Sequence, residues 1–258
     1  MIYFGKTDIG KKRKGNQDNF GTYKIAENAV LCVVCDGMGG ASGGEEASRL
    51  ALEAFLTELS DTCRAHIKDG VLDAGELDIK LVLENAAVAA NKKVYEAAEE
   101  NISLRGMGTT LVAFFSVDNS YYSVNVGDSR MYMINGKEIK QITHDHSYVQ
   151  YLVDIGKLTP KEAKESTRRN IITRAIGTAE DTVADVSLIE LPEDIDNTYI
   201  LLCSDGLTNM VSDEKIAHIA NEDSTIEKKT EKLIELANKN GGSDNITVVL
   251  VKMQSEAM

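Results

Sequence analysis

The chain has 258 residues, of which 43% are hydrophobic and 27% are charged, a composition typical of folded globular proteins rather than disordered ones. Its 41 acidic residues outnumber its 28 basic residues and give a formal net charge of −13. This balance argues against a general nucleic-acid binder, which needs a dominant basic surface. Since no linker divides the sequence, we expect one domain that spans residues 1–258.

The sequence has no run of about 18 apolar residues, so we expect neither a transmembrane helix nor a membrane partner. Residues 1–10 lack the basic and apolar regions of a secretory signal peptide, so we expect a cytoplasmic protein. Cys32 and Cys35 form a CxxC pair inside an apolar run. Residues three apart on a strand point to opposite faces, so we expect inert core thiols instead of a metal or redox pair.

The first half of the chain predicts three strands and then two long helices. A polar loop over residues 10–19 separates the first two strands, and Asp36 opens a glycine-rich segment after the third. Residues 61–75 are predicted to connect the helices. The predicted strands are 2–9, 20–25 and 29–35, and the predicted helices are 45–59 and 77–100.

The second half predicts a meander of strands, then helices and a closing strand. Asn135-Gly136 is the strongest hairpin signal in the chain, and residues 144–176 are predicted to be mostly helical or irregular. Strands joined by short turns favour an α+β fold with antiparallel sheets over a doubly wound parallel sheet. Two stacked sheets, each covered by a helix pair, would accommodate them. The predicted strands are 109–117, 120–125, 130–134, 138–142, 182–190, 197–203 and 245–253, and the predicted helices are 212–220 and 225–240.

Four aspartates lie at the ends of apolar strands: Asp36, Asp128, Asp205 and Asp244. An Asp-Gly pair after a strand is by itself most often a turn, but four such positions in one chain favour a shared site. Converging carboxylates would repel one another unless cations lie among them. Carboxylate, carbonyl and water ligands suit Mg²⁺ or Mn²⁺ better than Zn²⁺. Gly37 would also let the backbone approach an ion closely.

An anionic substrate needs a positive group, and Arg13 lies in a basic run, residues 11–14, just before a strand. A guanidinium grips two phosphate oxygens as a bidentate fork, which a lysine cannot do. A solvated basic loop is the default interpretation of such a run taken alone. Arg13 is therefore a candidate phosphate ligand only in combination with the aspartates.

Together these residues resemble the protein phosphatase type 2C family, the metal-dependent Ser/Thr phosphatases, in its compact bacterial catalytic-domain form. The resemblance extends from Asp8 to Val251 and rests on seven segments in the order of the family. Each segment is weak alone, whereas the ordered set is highly specific. The segments are Asp8–Asp18, Val34–Gly40, Gly44–Ser48, Met107–Thr110, Val126–Arg130, Ser204–Leu207 and Gly242–Asn245.

The resemblance implies an α-β-β-α sandwich of two antiparallel sheets flanked by helix pairs, which agrees with the strand pattern. It implies that Asp36 bridges two ions and that the carbonyl of Gly37 binds one of them. Asp205 and Asp244 would complete the other site. A third, weaker ion would use Asp128 together with Asp205, so two or three Mn²⁺ or Mg²⁺ ions are the expected cofactors.

The resemblance further implies that Arg13 holds the substrate phosphate and that Asp18 orients metal-bound water. Paired ions about 3.5–4 Å apart offer hydroxide at neutral pH, so no covalent protein nucleophile is required. The expected function is hydrolysis of phosphoserine and phosphothreonine in phosphorylated protein substrates, opposing a bacterial-type Ser/Thr kinase. Two alternatives stay open: a non-catalytic binding relative of the same fold, and a phosphatase for an anti-sigma antagonist protein.

Two positions depart from the family pattern. Some relatives carry a histidine directly after the first Asp-Gly, where this chain has Met38, and many bacterial relatives carry one where it has Ala41. The acid that protonates the leaving group is therefore not assigned, although metal-bound water would serve. His144 and His146 are candidates by composition, and we expect both at the surface.

Residues 145–176 resemble the mobile flap of bacterial members and are called the flap below. Between residues 150 and 175, six basic side chains outnumber three acidic ones in an otherwise acidic protein. This surplus of positive charge is equally consistent with contact to acidic or phosphorylated substrates and with a solvated helix face.

Overall fold

Thirteen β-strands are present within residues 1–40 and 43–255, the parts of the chain that the computed structural model describes. In chain order they are β1 (Ile2–Asp8), β2 (Asp18–Ala26), β3 (Ala29–Met38), β4 (Ile67–Lys68), β5 (Val71–Leu72), β6 (Gly108–Thr109), β7 (Leu111–Val117), β8 (Ser120–Val126), β9 (Arg130–Asn135), β10 (Glu138–Gln141), β11 (Asp185–Leu188), β12 (Thr198–Cys203) and β13 (Ile246–Lys252).

Two antiparallel sheets contain all of these strands except the β4–β5 hairpin. The first sheet has the order β1-β13-β12-β9-β10, and the second has the order β11-β8-β7-β3-β2 with β6 paired to β3. In the first sheet Asp8 is opposite Ile246, so β1 ends where β13 begins. In the second sheet Asp18 is opposite Asp36. The registers therefore bring the chain segments that carry the candidate residues to one edge of each sheet.

Seven α-helices occur in the described residues, and the longer ones cover the outer faces of the sheets. α1 and α2 pack together on the second sheet, whereas α6 and α7 pack on the first. None of them has the length and apolar character needed to cross a membrane. The helices are α1 (Gly43–Arg64), α2 (Ile79–Glu100), α3 (Tyr148–Asp154), α4 (Pro160–Glu165), α5 (Asp205–Thr208), α6 (Asp213–Ala220) and α7 (Ile226–Lys239).

Three apolar clusters separate the layers. Phe55 belongs to the cluster between the second sheet and its helices, Leu233 to the cluster between the first sheet and its helices, and Phe114 to the cluster between the sheets. Cys32 lies between the sheets and Cys35 on the helix side, and both are buried free thiols. Their predicted opposite orientation is confirmed, and so is the predicted α+β sandwich of four layers.

The segment between the two long helices differs from the prediction. Helix α1 continues to Arg64 rather than ending at residue 59, and the β4–β5 hairpin replaces a plain connection. The hairpin turns at Asp69 and Gly70, which both have positive φ. Asn28 bonds to the backbone of Leu72 through Nδ2 at 3.0 Å and Oδ1 at 2.8 Å. A partner so distant in sequence explains why the local pattern did not reveal the hairpin.

Candidate active site

Neighbouring strands place two aspartates of the candidate site side by side. Asp18 begins β2 and is the register partner of Asp36 near the end of β3. Thr110 fixes the backbone of Asp36 on both sides, because its N–H donates to Asp36 O and its Oγ1 accepts from Asp36 N, each at 2.9 Å. The backbone of Asp36 is thus held between Asp18 on one side and Thr110 on the other.

Glycine is required at two points where the backbone comes unusually close. A Cβ on Gly37 would overlap the carbonyl oxygens of Gly44 and Gln17, so the end of β3 could not approach the start of α1. A Cβ on Gly206 would overlap the carbonyl oxygen of Asn245. Both glycines directly follow a candidate aspartate, and they allow the segments that carry the aspartates to meet.

The remaining three aspartates reach the site from different elements. Asp205 begins the short helix α5, directly after β12, and its carboxylate accepts from Asn209 Nδ2 at 2.9 Å. Asp244 lies just before β13, and Asp128 lies in the turn between β8 and β9. Helix α5 has a single turn and was not predicted, because four residues are too few to show helical periodicity.

The carboxylates lie near enough to oppose one another's ionisation. Removal from water, followed by the charges of the other four aspartates, raises the pKa of Asp36 well above its usual range. Burial and then Asp205 raise the pKa of Asp128 to about 7. Burial and then Asp244 raise the pKa of Asp205 to about 6. The structure therefore brings together all four predicted metal aspartates, and Asp18 with them, in one electrostatically coupled group.

Asp18 is the most enclosed of these side chains, with 5% of its surface exposed. Its Oδ2 accepts from Thr247 Oγ1 at 2.6 Å and from Ser204 Oγ at 2.8 Å, whereas its Oδ1 has no hydrogen-bond partner. Burial raises the pKa of Asp18 to about 6 despite these two donors. Thr247 was not singled out from the sequence, and Ser204 was named only as the first residue of a family segment.

The donor set fits a hard divalent cation. Carboxylate and backbone oxygens are the ligands that Mg²⁺ and Mn²⁺ favour, and the unpartnered Oδ1 of Asp18 is a free acceptor beside them. In the described part of the chain, no three Asp, Glu, His or Cys side chains already form a finished ion cage. A cation bound among these carboxylates would offset the repulsion between their charges.

Arg13 lies at the margin of the acidic group. Its Nη2 contacts Asp244 Oδ2 at 2.7 Å, and 49% of its side chain is exposed. The loop that carries Arg13 is anchored by the buried side chain of Asn245, a residue the sequence highlighted only as part of a family segment. Asn245 donates to the carbonyls of Ile9 at 2.9 Å and Gly15 at 3.0 Å and accepts from Gln17 N at 2.8 Å.

The two candidate histidines differ in environment. His144 is 57% exposed and pairs with Asp154 at 2.9 Å, so its predicted surface position is confirmed. His146 is only 7% exposed, and the predicted surface position is wrong. Its two ring nitrogens contact Gly127 N and Asp185. Met38 ends β3 and has no acidic proton, and Ala41 lies outside the described residues.

The chain is similar to known proteins along nearly its whole length. The family described as Protein phosphatase 2C matches residues 10–250. Protein phosphatase PhpP of Streptococcus pneumoniae is 36% identical over 250 residues, which cover 97% of this chain and 96% of that protein.

Solved structures show the same similarity. A bacterial serine phosphatase superposes with a TM-score of 0.86 at 36% identity, and the match covers 100% of both chains. The catalytic domain of the serine threonine protein phosphatase PstP, solved in complex with two manganese ions, has a TM-score of 0.82 at 34% identity and covers 98% of both chains. The chain therefore belongs to the protein phosphatase 2C family of metal-dependent phosphoric monoester hydrolases.

Proposed function

We propose that this phosphatase hydrolyses phosphoserine and phosphothreonine in proteins with two or three Mn²⁺ or Mg²⁺ ions. Asp36, Asp205 and Asp244 would hold the principal pair together with the carbonyl of Gly37, and Asp128 would share a third ion with Asp205. The observation that carries the proposal is the group of carboxylates that raise one another's pKa. The two manganese ions in the PstP structure support the same cofactor.

When bound, such ions lower the pKa of a coordinated water and offset the negative charge of the phosphate. The chain itself contributes Arg13, whose guanidinium can hold two phosphate oxygens as a planar fork. Its exposed side chain at the margin of the acidic group is reachable from solvent. An anionic substrate would otherwise be repelled by the aspartates, so a cation at this margin favours its approach.

Asp18 acts in this proposal as an acceptor that orients water. Ser204 and Thr247 both donate to its Oδ2 and thereby fix the plane of the carboxyl group. Its Oδ1 is buried and has no hydrogen-bond partner, so it is the available acceptor. No histidine is assigned as the acid for the leaving group, because His146 is engaged by protein partners and His144 pairs with Asp154.

The relatives support the choice of substrate. The matching proteins are named protein phosphatases, and one solved structure is a serine phosphatase. A phosphorylated protein and a cognate Ser/Thr kinase in the cytoplasm are therefore the proposed partners.

The flap, about 145–176, is proposed as a subdomain of a single catalytic domain over residues 1–258. It borders a cleft of about 540 Å³ that also contacts Asp128 and Asp205, a position suited to substrate contact.

The decisive experiment is hydrolysis of p-nitrophenyl phosphate and of a phosphoserine peptide with Mn²⁺, with Mg²⁺ and with EDTA. We expect metal-dependent turnover that Asp36→Asn lowers by more than roughly a hundredfold, since supporting residues around a metal alone are worth about 10–100-fold. Asp223→Asn, an exposed aspartate between α6 and α7, is the matched control and should behave as wild type. No metal-dependent turnover by the wild type would favour the non-catalytic alternative.

A panel of phosphoproteins then distinguishes the two possible phosphatase functions. Turnover of several phosphoserine and phosphothreonine peptides with similar kcat/KM supports a phosphatase that opposes a Ser/Thr kinase. Turnover confined to one anti-sigma antagonist protein supports the narrower alternative. The same preparations of wild type and Asp36→Asn serve both assays.

A further inference from the structure

His146 is a buried residue at the base of the flap that the proposed chemistry does not use. Its Nδ1 accepts from the N–H of Gly127 at 3.0 Å, and its own backbone N–H donates to the carbonyl of Gly127 at 2.9 Å. Both polar backbone groups of Gly127 are therefore bonded to one residue. Gly127 directly precedes Asp128, so His146 contacts the turn that carries a proposed metal ligand.

The turn at Gly127 has a conformation that side chains rarely adopt. Its φ is +114°, and a Cβ at this position would come within 2.6 Å of Thr110 Cγ2. Glycine enters this region without strain and is conformationally free, so surrounding contacts are needed to hold it in one conformation. The double contact with His146, together with Asn125 Nδ2 on the Gly127 carbonyl at 3.3 Å, supplies them and fixes the position of Asp128 after the turn.

The hydrogen bonds also determine the protonation of the ring. Because Nδ1 accepts from a backbone N–H, the proton of the neutral imidazole is on Nε2. Nε2 lies 3.0 Å from both Asp185 Oδ2 and Arg174 Nη1, and because Arg174 can only donate, the N–H at Nε2 donates to Asp185 Oδ2. Arg174 Nη1 in turn donates to Asp185 Oδ1 at 2.7 Å. Burial lowers the pKa of His146 and favours this neutral form. Asp185 thus keeps Nδ1 free to bind Gly127.

The same residues join the two ends of the flap. Thr173 N donates to His146 O at 2.8 Å, and Tyr148 N donates to Ile171 O at 2.8 Å, so the incoming and outgoing segments pair at this neck. Arg174, which follows the neck, is bonded to Asp185 on β11. His146 therefore contacts the turn before Asp128 through its ring and its backbone N–H, and the outgoing end of the flap through its backbone carbonyl.

We infer that His146 is a positioning residue, whose Nδ1 fixes Gly127 and so orients Asp128 for the third, weaker metal ion at the base of the flap. This inference rests on the proposed function. Supporting residues around a metal hold its ligands in their binding orientation. The acceptor at Nδ1 of His146 would do this for Asp128.

Two substitutions separate the two nitrogens. In His146→Asn the amide oxygen takes roughly the place of Nδ1 and preserves an acceptor for Gly127. In His146→Gln the amide reaches the place of Nε2 and contacts Asp185, but nothing accepts from Gly127. The measurement is direct binding of Mn²⁺ by calorimetry, with free ions counted by electron paramagnetic resonance, for wild type, both variants and Asp128→Asn.

We expect His146→Gln to lower the affinity for the most weakly bound Mn²⁺ ion about ten- to hundredfold, because losses of this size follow removal of supporting contacts. Asp128→Asn should lower the affinity for the same ion. His146→Asn should bind this ion with nearly the wild-type affinity. The affinity for the more tightly bound ions should be unchanged in both His146 variants. The kcat for a phosphoserine peptide at limiting Mn²⁺ should follow the same order. Equal losses in both variants, or no loss in either, would contradict the role of Nδ1.

A second variant covers the case in which His146→Gln does not fold. Asp185 is half exposed, and Asp185→Ala removes the acceptor for the ring proton on Nε2. It should weaken the same ion, whereas the exposed Asp181→Ala should not; an unchanged affinity in Asp185→Ala would argue against the inference. A wild type that lacks Mn²⁺-dependent turnover would instead contradict the proposed function itself, so the two failures are distinct.

Discussion

Arg13 is proposed to serve phosphate recognition rather than stability. Its ion pair with Asp244 involves a side chain that is 49% exposed, and such surface pairs contribute roughly 0–1 kcal/mol. In the proposed role the planar guanidinium would matter for binding, because it can donate to two phosphate oxygens at once. A lysine would keep the charge but offer a single point of attachment.

We therefore expect Arg13→Lys to lower kcat/KM for p-nitrophenyl phosphate about ten- to hundredfold, mainly through KM. One charge-assisted hydrogen bond is worth roughly 1.5–3 kcal/mol, which corresponds to that range. The melting temperature should remain within about 2 °C of wild type, because the ion pair is largely exposed. Lys12→Ala in the same loop is the control. A large stability loss with unchanged KM would assign Arg13 a structural role.

The aspartates could be predicted from the sequence because each follows or precedes an apolar strand, and three of the four, Asp36, Asp128 and Asp205, adjoin a glycine. The partners that shape the site could not be predicted in the same way. Ser204 and Thr247 reach Asp18 from positions more than 180 residues away, and hydroxyls carry no pattern that indicates a partner. His146 was assigned to the surface because a polar residue between elements is usually exposed, whereas its neighbours enclose it.

At the scale of elements, the flap combines short helices with a surplus of positive charge. Not all of that charge is available, because Arg174 is bonded to Asp185. Arg168 is exposed and lies over the ring of Tyr148 at 5.8 Å, and the guanidinium of Arg169 donates to the carbonyl of Lys164 at 3.4 Å. The available cations therefore lie around residues 157–169, beside the cleft that leads to the acidic group.

Reversal of two of these charges tests whether the flap binds substrates. The double variant Arg168→Glu and Arg169→Glu should raise KM for a phosphoprotein roughly three- to tenfold, since each exposed charge pair contributes up to about 1 kcal/mol. Turnover of p-nitrophenyl phosphate should not change, because that substrate is too small to reach the flap. Lys92→Glu with Lys93→Glu, on the outer helix α2, is the matched control. If phosphoprotein turnover is unchanged, the positive charge of the flap is a solvated helix face and does not contact substrates.

Strands and long helices were predictable because their apolar periodicity extends over many residues. Shorter elements depend on contacts from elsewhere in the chain. The β4–β5 hairpin needs Asn28, and α5 is a single turn after β12 whose position depends on Gly206 passing close to Asn245. Strand β11 is confined to Asp185–Leu188, where it pairs with β8, although the pattern predicted 182–190.

For the whole molecule, the acidic group makes folding stability depend on pH and on metal. The pKa values of Asp18 and Asp205 are raised to about 6, and that of Asp128 to about 7, against roughly 3.9 in an unfolded chain. The folded state therefore holds these protons more tightly than the unfolded state. Their contribution to stability is fully present below about pH 4 and is lost as the pH rises through 6 to 7.

Divalent cations should offset this loss where the carboxylates are ionised. At a concentration about a hundred times the dissociation constant, Mn²⁺ should add about 2.7 kcal/mol, which corresponds to a rise of roughly 5–10 °C in melting temperature for a chain of this size. The rise should be clearly larger at pH 8 than at pH 5.5, because protons compete with the ion for the same oxygens. Scanning calorimetry with Mn²⁺ and with EDTA at both pH values measures this rise in melting temperature.

Asp36→Asn removes one of the repelling charges, so with EDTA at pH 8 it should melt at or above the wild-type temperature while gaining little from Mn²⁺. A rise that is equal at both pH values would show that the ions bind elsewhere than among these carboxylates.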